Sequence, residues 1–122
     1  MAETVAIITP AYRAERWIVA CVRSVQAQTW PDWEHWIIAD DSADYGALLA
    51  AEGLSDPRHR FLSSGTIGGG ASRARNLALD QIQTEYVAIL DADDRFKPQK
   101  LELAVAALRH HAIVSVALDR PS

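Results

Sequence analysis

Asp91-Ala92-Asp93-Asp94 places three carboxylates in four residues, directly behind the apolar run Tyr86-Val87-Ala88-Ile89-Leu90. Such a run reads as a buried strand, so the acids fall where a strand ends and a loop begins. Like charges this close repel, and a simple turn is built more cheaply from Gly, Asn or a single Asp. A divalent cation with oxygen ligands turns that repulsion into shared attraction, so cation binding is one chemistry the spacing offers. The plainer alternative is a solvated turn capping the helix that opens near Pro98. Two further polar clusters close apolar runs in the same way: Thr9-Pro10-Ala11-Tyr12-Arg13 and Asp40-Asp41-Ser42. Tyr12 offers an aromatic face to a base, or a partly buried packing surface. Asp41 offers acceptors to a base or ribose, or a cap to the following helix, a task that suits Ser42 or Asp44 equally well.

Other residues carry weaker signals. The loop Ser63 to Gly70 holds four of the six glycines and precedes a helix, where backbone N–H groups can face an anion. It is neither G-x-G-x-x-G nor a P-loop, and a flexible connection explains it as well. Arg73 and Arg75 lie two apart on that helix and point in different directions, so at most one faces a site. His110 and His111 are adjacent at a helix end and do not converge on one ion. Trp17, Trp30, Trp33 and Trp36 are expected to pack the core or cover an edge, with a sugar platform as the alternative. No Ser/His/Asp or Cys/His pairing has useful spacing.

The elements that must position these groups alternate. Thr4 to Ile8 reads as a first strand, and Ile18, Cys21, Val22 and Val25 mark one face of a helix from about Ala14 to Gln28. Glu34 to Ala39 is a second strand, Asp44 to Glu52 a weaker helix, and His59 to Leu62 a short third strand. Ala71, Ala74, Leu77, Ala78 and Ile82 line a helix, the strand before Asp91 follows, and a last helix opens at Pro98 with Leu101, Ala104, Val105 and Leu108 inward. Ile113 to Ala117 reads as a final strand. This alternation predicts an α/β fold: a Rossmann-like, open, mainly parallel sheet with helices on both faces. Parallel strands share one C-terminal edge, so the three polar clusters would meet there.

Composition narrows the class further. A chain of 122 residues, 49% hydrophobic and 23% charged, suits one globular domain over residues 1–122. A net charge of -4 with 12 scattered basic residues argues against nucleic acid as a partner. Cys21 has no partner for an internal disulfide, and no apolar stretch reaches the roughly 18 residues of a membrane span. Glu3 leaves the N-terminus without a basic signal-peptide opening, so a cytoplasmic location is expected.

Set in order, these stretches resemble the N-terminal, nucleotide-sugar-binding half of family 2 glycosyltransferases, inverting enzymes of the GT-A fold. The resemblance rests on Val5 to Tyr12, Ser24 to Trp30, Trp36 to Ser42, Gly69 to Asn76, Glu85 to Asp94 and Pro98 to Leu101. It implies a nucleotide-diphosphate sugar donor, a UDP-sugar first, and Mg²⁺ or Mn²⁺ as bridging cation. Asp41 would then meet the base, Asp91 the ribose, and Asp93 the cation that holds the diphosphate. Thr9, Pro10 and Tyr12 would frame the nucleotide pocket, and Arg75 would assist near the diphosphate or merely pack. The chain departs from the family in Asp-Asp-Ser-Ala-Asp after the second strand and in Gly-Gly-Gly before the Arg-Asn helix. It also lacks the C-terminal half that carries the acceptor site and catalytic base, so no general base is assigned and the acceptor is unknown. A truncated glycosyltransferase domain is therefore expected, with a non-catalytic nucleotide-binding or interaction module as the alternative. Apolar surface left where the missing half would dock is expected to favour a homo-oligomer.

Overall fold

The computed structural model describes residues 3–110, and the strand expected at 113–117 lies outside them, as does His111. Four strands and four helices alternate: β1 (Val5–Ala11), α1 (Ile18–Gln26), β2 (Trp33–Ala39), α2 (Tyr45–Ala51), β3 (His59–Ser63), α3 (Ala71–Leu79), β4 (Tyr86–Ile89) and α4 (Lys100–His110). The strands form one parallel sheet in the order β3-β2-β1-β4. The expected architecture is therefore the observed one, a mainly parallel Rossmann-like sheet with helices on both faces.

The alternation of side chains along β1 explains the two covered faces. Val5 and Ile7 point toward Cys21 and Val25 of α1 and Leu101 and Val105 of α4. Ala6 and Ile8 point the other way, against Ala74 and Ala78 of α3 together with Trp36 and Ile38 of β2. A third cluster, around Ile18, Val22, Ile37, Tyr45 and Leu49, seats α1 and α2. Strands buried on both faces read as continuous apolar runs, which is how β1 and β2 appear in the chain. Fully burying a side chain such as Ile7 or Ile37 stabilises the fold by roughly 1.5–3 kcal/mol. β3, at the sheet edge, leaves Arg60, Phe61 and Ser63 exposed, as an edge strand tolerates.

Several boundaries differ from the sequence expectation, most of all those of β1 and α1. β1 runs on through Thr9 and Pro10 to Ala11, in register with Ala39 of β2. α1 begins at Ile18 instead of Ala14, because Ala14 to Trp17 forms a preceding turn in which Trp17 and Ile18 N–H both donate to the Ala14 carbonyl. At its other end α1 stops at Gln26, and the buried Gln28 side chain stitches it to α4: Nε2 donates to Ser24 O at 3.0 Å and Lys97 O at 2.7 Å, and Oε1 accepts from Leu101 N–H at 3.0 Å. Ala71, expected on the inward face of α3, is exposed.

Candidate active site

The connection from β1 leads to β2 on one side, while β4 lies on the other side of β1. A crevice opens where strand order reverses like this, outside the carboxyl ends of the strands. An open cleft of about 400 Å³ lies there. β1 and its following loop supply Pro10 to Ala14, the residue before α1 supplies Trp17, β2 leads into Asp40, α3 opens with Ala71, and the loop behind β4 contributes Asp91, Ala92 and Asp93. Of the residues given a site role from the sequence, Pro10, Tyr12, Asp91 and Asp93 meet in this cleft.

Asp91, Asp93 and Asp94 each offer a carboxylate oxygen, and these oxygens lie within 4.8 Å of one another. Asp91 and Asp93 are exposed and Asp94 is half-buried, while Ala92 between them is buried and anchors the turn. The Asp94 N–H closes that turn on the Asp91 carbonyl at 2.9 Å. Hard, all-oxygen donors at this spacing fit Mg²⁺ or Mn²⁺.

The other acidic pair is arranged differently. The Asp40 carboxylate accepts from Ser64 Oγ at 2.6 Å, Gly70 N–H at 2.9 Å, Gly69 N–H at 3.1 Å and Thr66 Oγ1 at 3.2 Å, and its carbonyl accepts from Gly68 N–H at 2.9 Å. The Ser64 hydroxyl first, then the Gly70 and Gly69 N–H groups, hold the Asp40 carboxyl below its ordinary range against the opposing effect of burial. The anion facing the glycine loop and the start of α3 is thus the protein's own carboxylate. A Cβ at position 69 would sit 2.5 Å from Thr66 Oγ1, so any other residue there must displace that hydroxyl, and Gly70 has φ +106°.

Asp41 is not among the lining residues. Its Oδ2 accepts from Arg13 N–H and the Tyr45 hydroxyl, each at 2.7 Å, and its Oδ1 accepts from Ala43 N–H at 3.0 Å. The cap of α2 is Asp44, which accepts from Ala47 N–H at 2.9 Å. Thr9 is fully buried, with Oγ1 2.7 Å from His35 Nε2, and contributes its place in β1 but no side chain to the cleft. Burial pushes His35 down to about 3 and Cys21, packed beneath Thr9, up to about 12. Neither arginine of α3 lines the cleft: Arg73 donates to Ser64 O at 3.4 Å and Arg75 to Ser72 Oγ at 3.2 Å.

Three lining residues had a place in the sequence reading but no assigned site role: Arg13 and Asp40, inside the polar clusters behind β1 and β2, and Trp17, one of four tryptophans with a sugar platform as the alternative. Trp17 had a usable signal, since it falls off the Ile18, Cys21, Val22, Val25 stripe of α1 and so had to face outward, where it is 48% exposed. The other three tryptophans behave as packing residues: Trp33 and Trp36 are buried and Trp30 packs against the core.

Fold and cleft together define an α/β domain with a polar, acid-bearing crevice at its topological switch point. Residues 6–122 match the model of glycosyl transferase family 2, and the chain belongs to that family. It is 38% identical over 104 residues to the UDP-Glc:alpha-D-GlcNAc-diphosphoundecaprenol beta-1,3-glucosyltransferase WfgD of Escherichia coli, covering 85% of this chain and 40% of that protein. The S. aureus TarS 1-349 structure in complex with UDP-GlcNAc superposes with a TM-score of 0.78 at 26% identity, over 89% of this chain and 32% of that one. The mannosyltransferase PcManGT of Pyrobaculum calidifontis, solved with GDP-Man and Mn²⁺, shares the fold with a TM-score of 0.73 at 24% identity, over 85% of this chain and 32% of that one. The chain thus spans less than half the length of these relatives. Among the described residues, no helix is long and apolar enough to cross a membrane.

Proposed function

We propose that this chain is the donor-binding part of an inverting glycosyltransferase that takes a nucleotide-diphosphate sugar, with a UDP-sugar as first candidate, and works in the cytoplasm with Mg²⁺ or Mn²⁺. The observation that carries this is the meeting of Asp91, Asp93 and Asp94 oxygens within 4.8 Å of one another, Asp91 and Asp93 lining one cleft with Tyr12 and Pro10. Family membership and likeness to proteins named for UDP-Glc transfer or solved with UDP-GlcNAc support the same reading.

In this scheme Asp93, helped by Asp94, would hold the cation, and Asp91 would accept from the ribose hydroxyls. When bound, such a cation neutralises a diphosphate leaving group as negative charge builds on it. Pro10 and the exposed Tyr12 ring frame the nucleotide, and Trp17 gives the cleft a second aromatic wall. Asp41 would meet the base through the remaining lone pairs of Oδ1, while its Oδ2 orders Arg13 and Tyr45. Thr9 supports the pocket from beneath by fixing the end of β1, and Arg75 would act from outside the lining, one turn into α3. Acceptor and catalytic base belong to residues that no observation assigns.

Calorimetric titration of UDP with and without Mn²⁺, on wild type and Asp93→Ala, tests the scheme. We expect tight binding only for wild type with Mn²⁺. Equal binding by both proteins would remove Asp93 from cation binding, and no binding by wild type would remove the donor reading.

A further inference from the structure

Arg13 stands out among the described residues as the one residue other than glycine with positive φ, at +51°. Glycine, Asn and Asp tolerate the left-handed region, and arginine has no such advantage. Strain retained at the rim of a cleft is a mark of function when the surroundings enforce it. Here they do. The Arg13 N–H donates to Asp41 Oδ2 at 2.7 Å, and the same oxygen is fixed by the Tyr45 hydroxyl. The guanidinium carbon lies 5.1 Å from the centre of the Tyr12 ring. That ring in turn lies against the glycine loop, where a Cβ on Gly68 would come within 3.5 Å of it. Backbone, side chain and neighbouring ring are thus all held at the cleft.

Charge gives the arrangement its meaning. Arg13 is the one Lys or Arg lining a cleft that also contains Asp40, Asp91 and Asp93. The Asp40 charge is already met by four donors. No acid or carbonyl is recorded against the Arg13 guanidinium among the described residues, so its donors are open to a ligand. A planar guanidinium matches phosphate oxygens in a bidentate fork that a lone ammonium does not reproduce. We propose that Arg13 is a donor-binding residue, its backbone held left-handed by Asp41 so that its guanidinium grips the diphosphate of a nucleoside-diphosphate sugar. This rests on the nucleotide-sugar reading above and adds to it the residue that distinguishes a diphosphate from a monophosphate.

The test is Arg13→Asn in the full chain, because Asn relieves the backbone strain while removing the guanidinium. UDP and UMP are titrated separately into wild type and variant with Mn²⁺ present, and thermal melting is followed on the free proteins. We expect R13N to melt no lower than wild type, to lose about tenfold in UDP affinity, and to lose less than about threefold for UMP. Wild type that binds UDP while R13N binds it equally well overturns this inference alone. So does an equal loss for UMP and UDP, or a lowered melting temperature, either of which would make Arg13 a structural residue. Wild type that binds neither nucleotide overturns the donor reading and this inference with it.

Discussion

Two acidic clusters sit at the same edge of one sheet and have opposite fates. Asp40 and Asp41, behind β2, are engaged by the protein's own donors: loop N–H groups and hydroxyls on one, Arg13, Ala43 and Tyr45 on the other. Asp91, Asp93 and Asp94, behind β4, gather their oxygens within 4.8 Å with no donor recorded against them among the described residues. A carboxylate ringed by N–H and O–H groups, as Asp40 is, acts as a fastener, and those donors hold its pKa down without help. A group of carboxylates with only one another for company is unfavourable until something positive arrives. Residue type is the same in both places; the supply of donors separates them, and the proposed cation site is the group that lacks one.

The comparison can be broken first at its rigid side. Asp40→Ala leaves Ser64, Thr66, Gly69 and Gly70 without their shared acceptor, and urea unfolding should show a loss of about 3 kcal/mol. A loss below about 0.5 kcal/mol would mean the glycine loop does not depend on it. Ile37→Ala, in the packed middle of β2, provides a calibration, with about 2–5 kcal/mol expected in the same assay.

Acid should act next. His35 has its ordinary value of 6.5 in the unfolded chain and about 3 when buried, so the unfolded state takes up the proton first. Stability is therefore complete above pH 6.5 and falls as pH drops from there toward 3. Asp56, held down to about 2 by the Arg58 guanidinium, extends the decline below pH 3.8 in the same direction. The double change T9V/H35L should flatten the slope between pH 6.5 and 3 in melting experiments; an unchanged slope would place the titration elsewhere.

The parts of this molecule written in local pattern were readable in the chain, and those written in long-range contact were not. β1 and β2 declare themselves because strands covered on both faces must be apolar throughout. The Asp91 to Asp94 group was legible as well, since a dense acid run behind a strand is visible without tertiary information. Asp40 and Asp41 are neighbours of identical chemistry, and nothing local separates them. Their roles are assigned by the loop 64–70, which folds back from 24 to 30 residues away, and by Tyr45 reaching Asp41. The family resemblance put Thr9 at the nucleotide pocket; in the fold β1 continues past it and turns its hydroxyl toward His35. Arg13 gave no warning of its left-handed backbone, because the usual signals for that region are Gly and Asn.

The smallest stability effect is expected at the acids of the proposed cation site. D91N/D93N removes like-charge repulsion and no recorded hydrogen bond, so the apoprotein should change by no more than about 0.5 kcal/mol and more in the stabilising direction. The most direct measurement of the contrast is Mn²⁺ uptake in the presence of UDP, followed by electron paramagnetic resonance on wild type and D91N/D93N. We expect wild type to take up one Mn²⁺ per chain and the equally stable double variant to take up none. Equal uptake by both proteins would contradict the assignment of the unpartnered acids as the cation site.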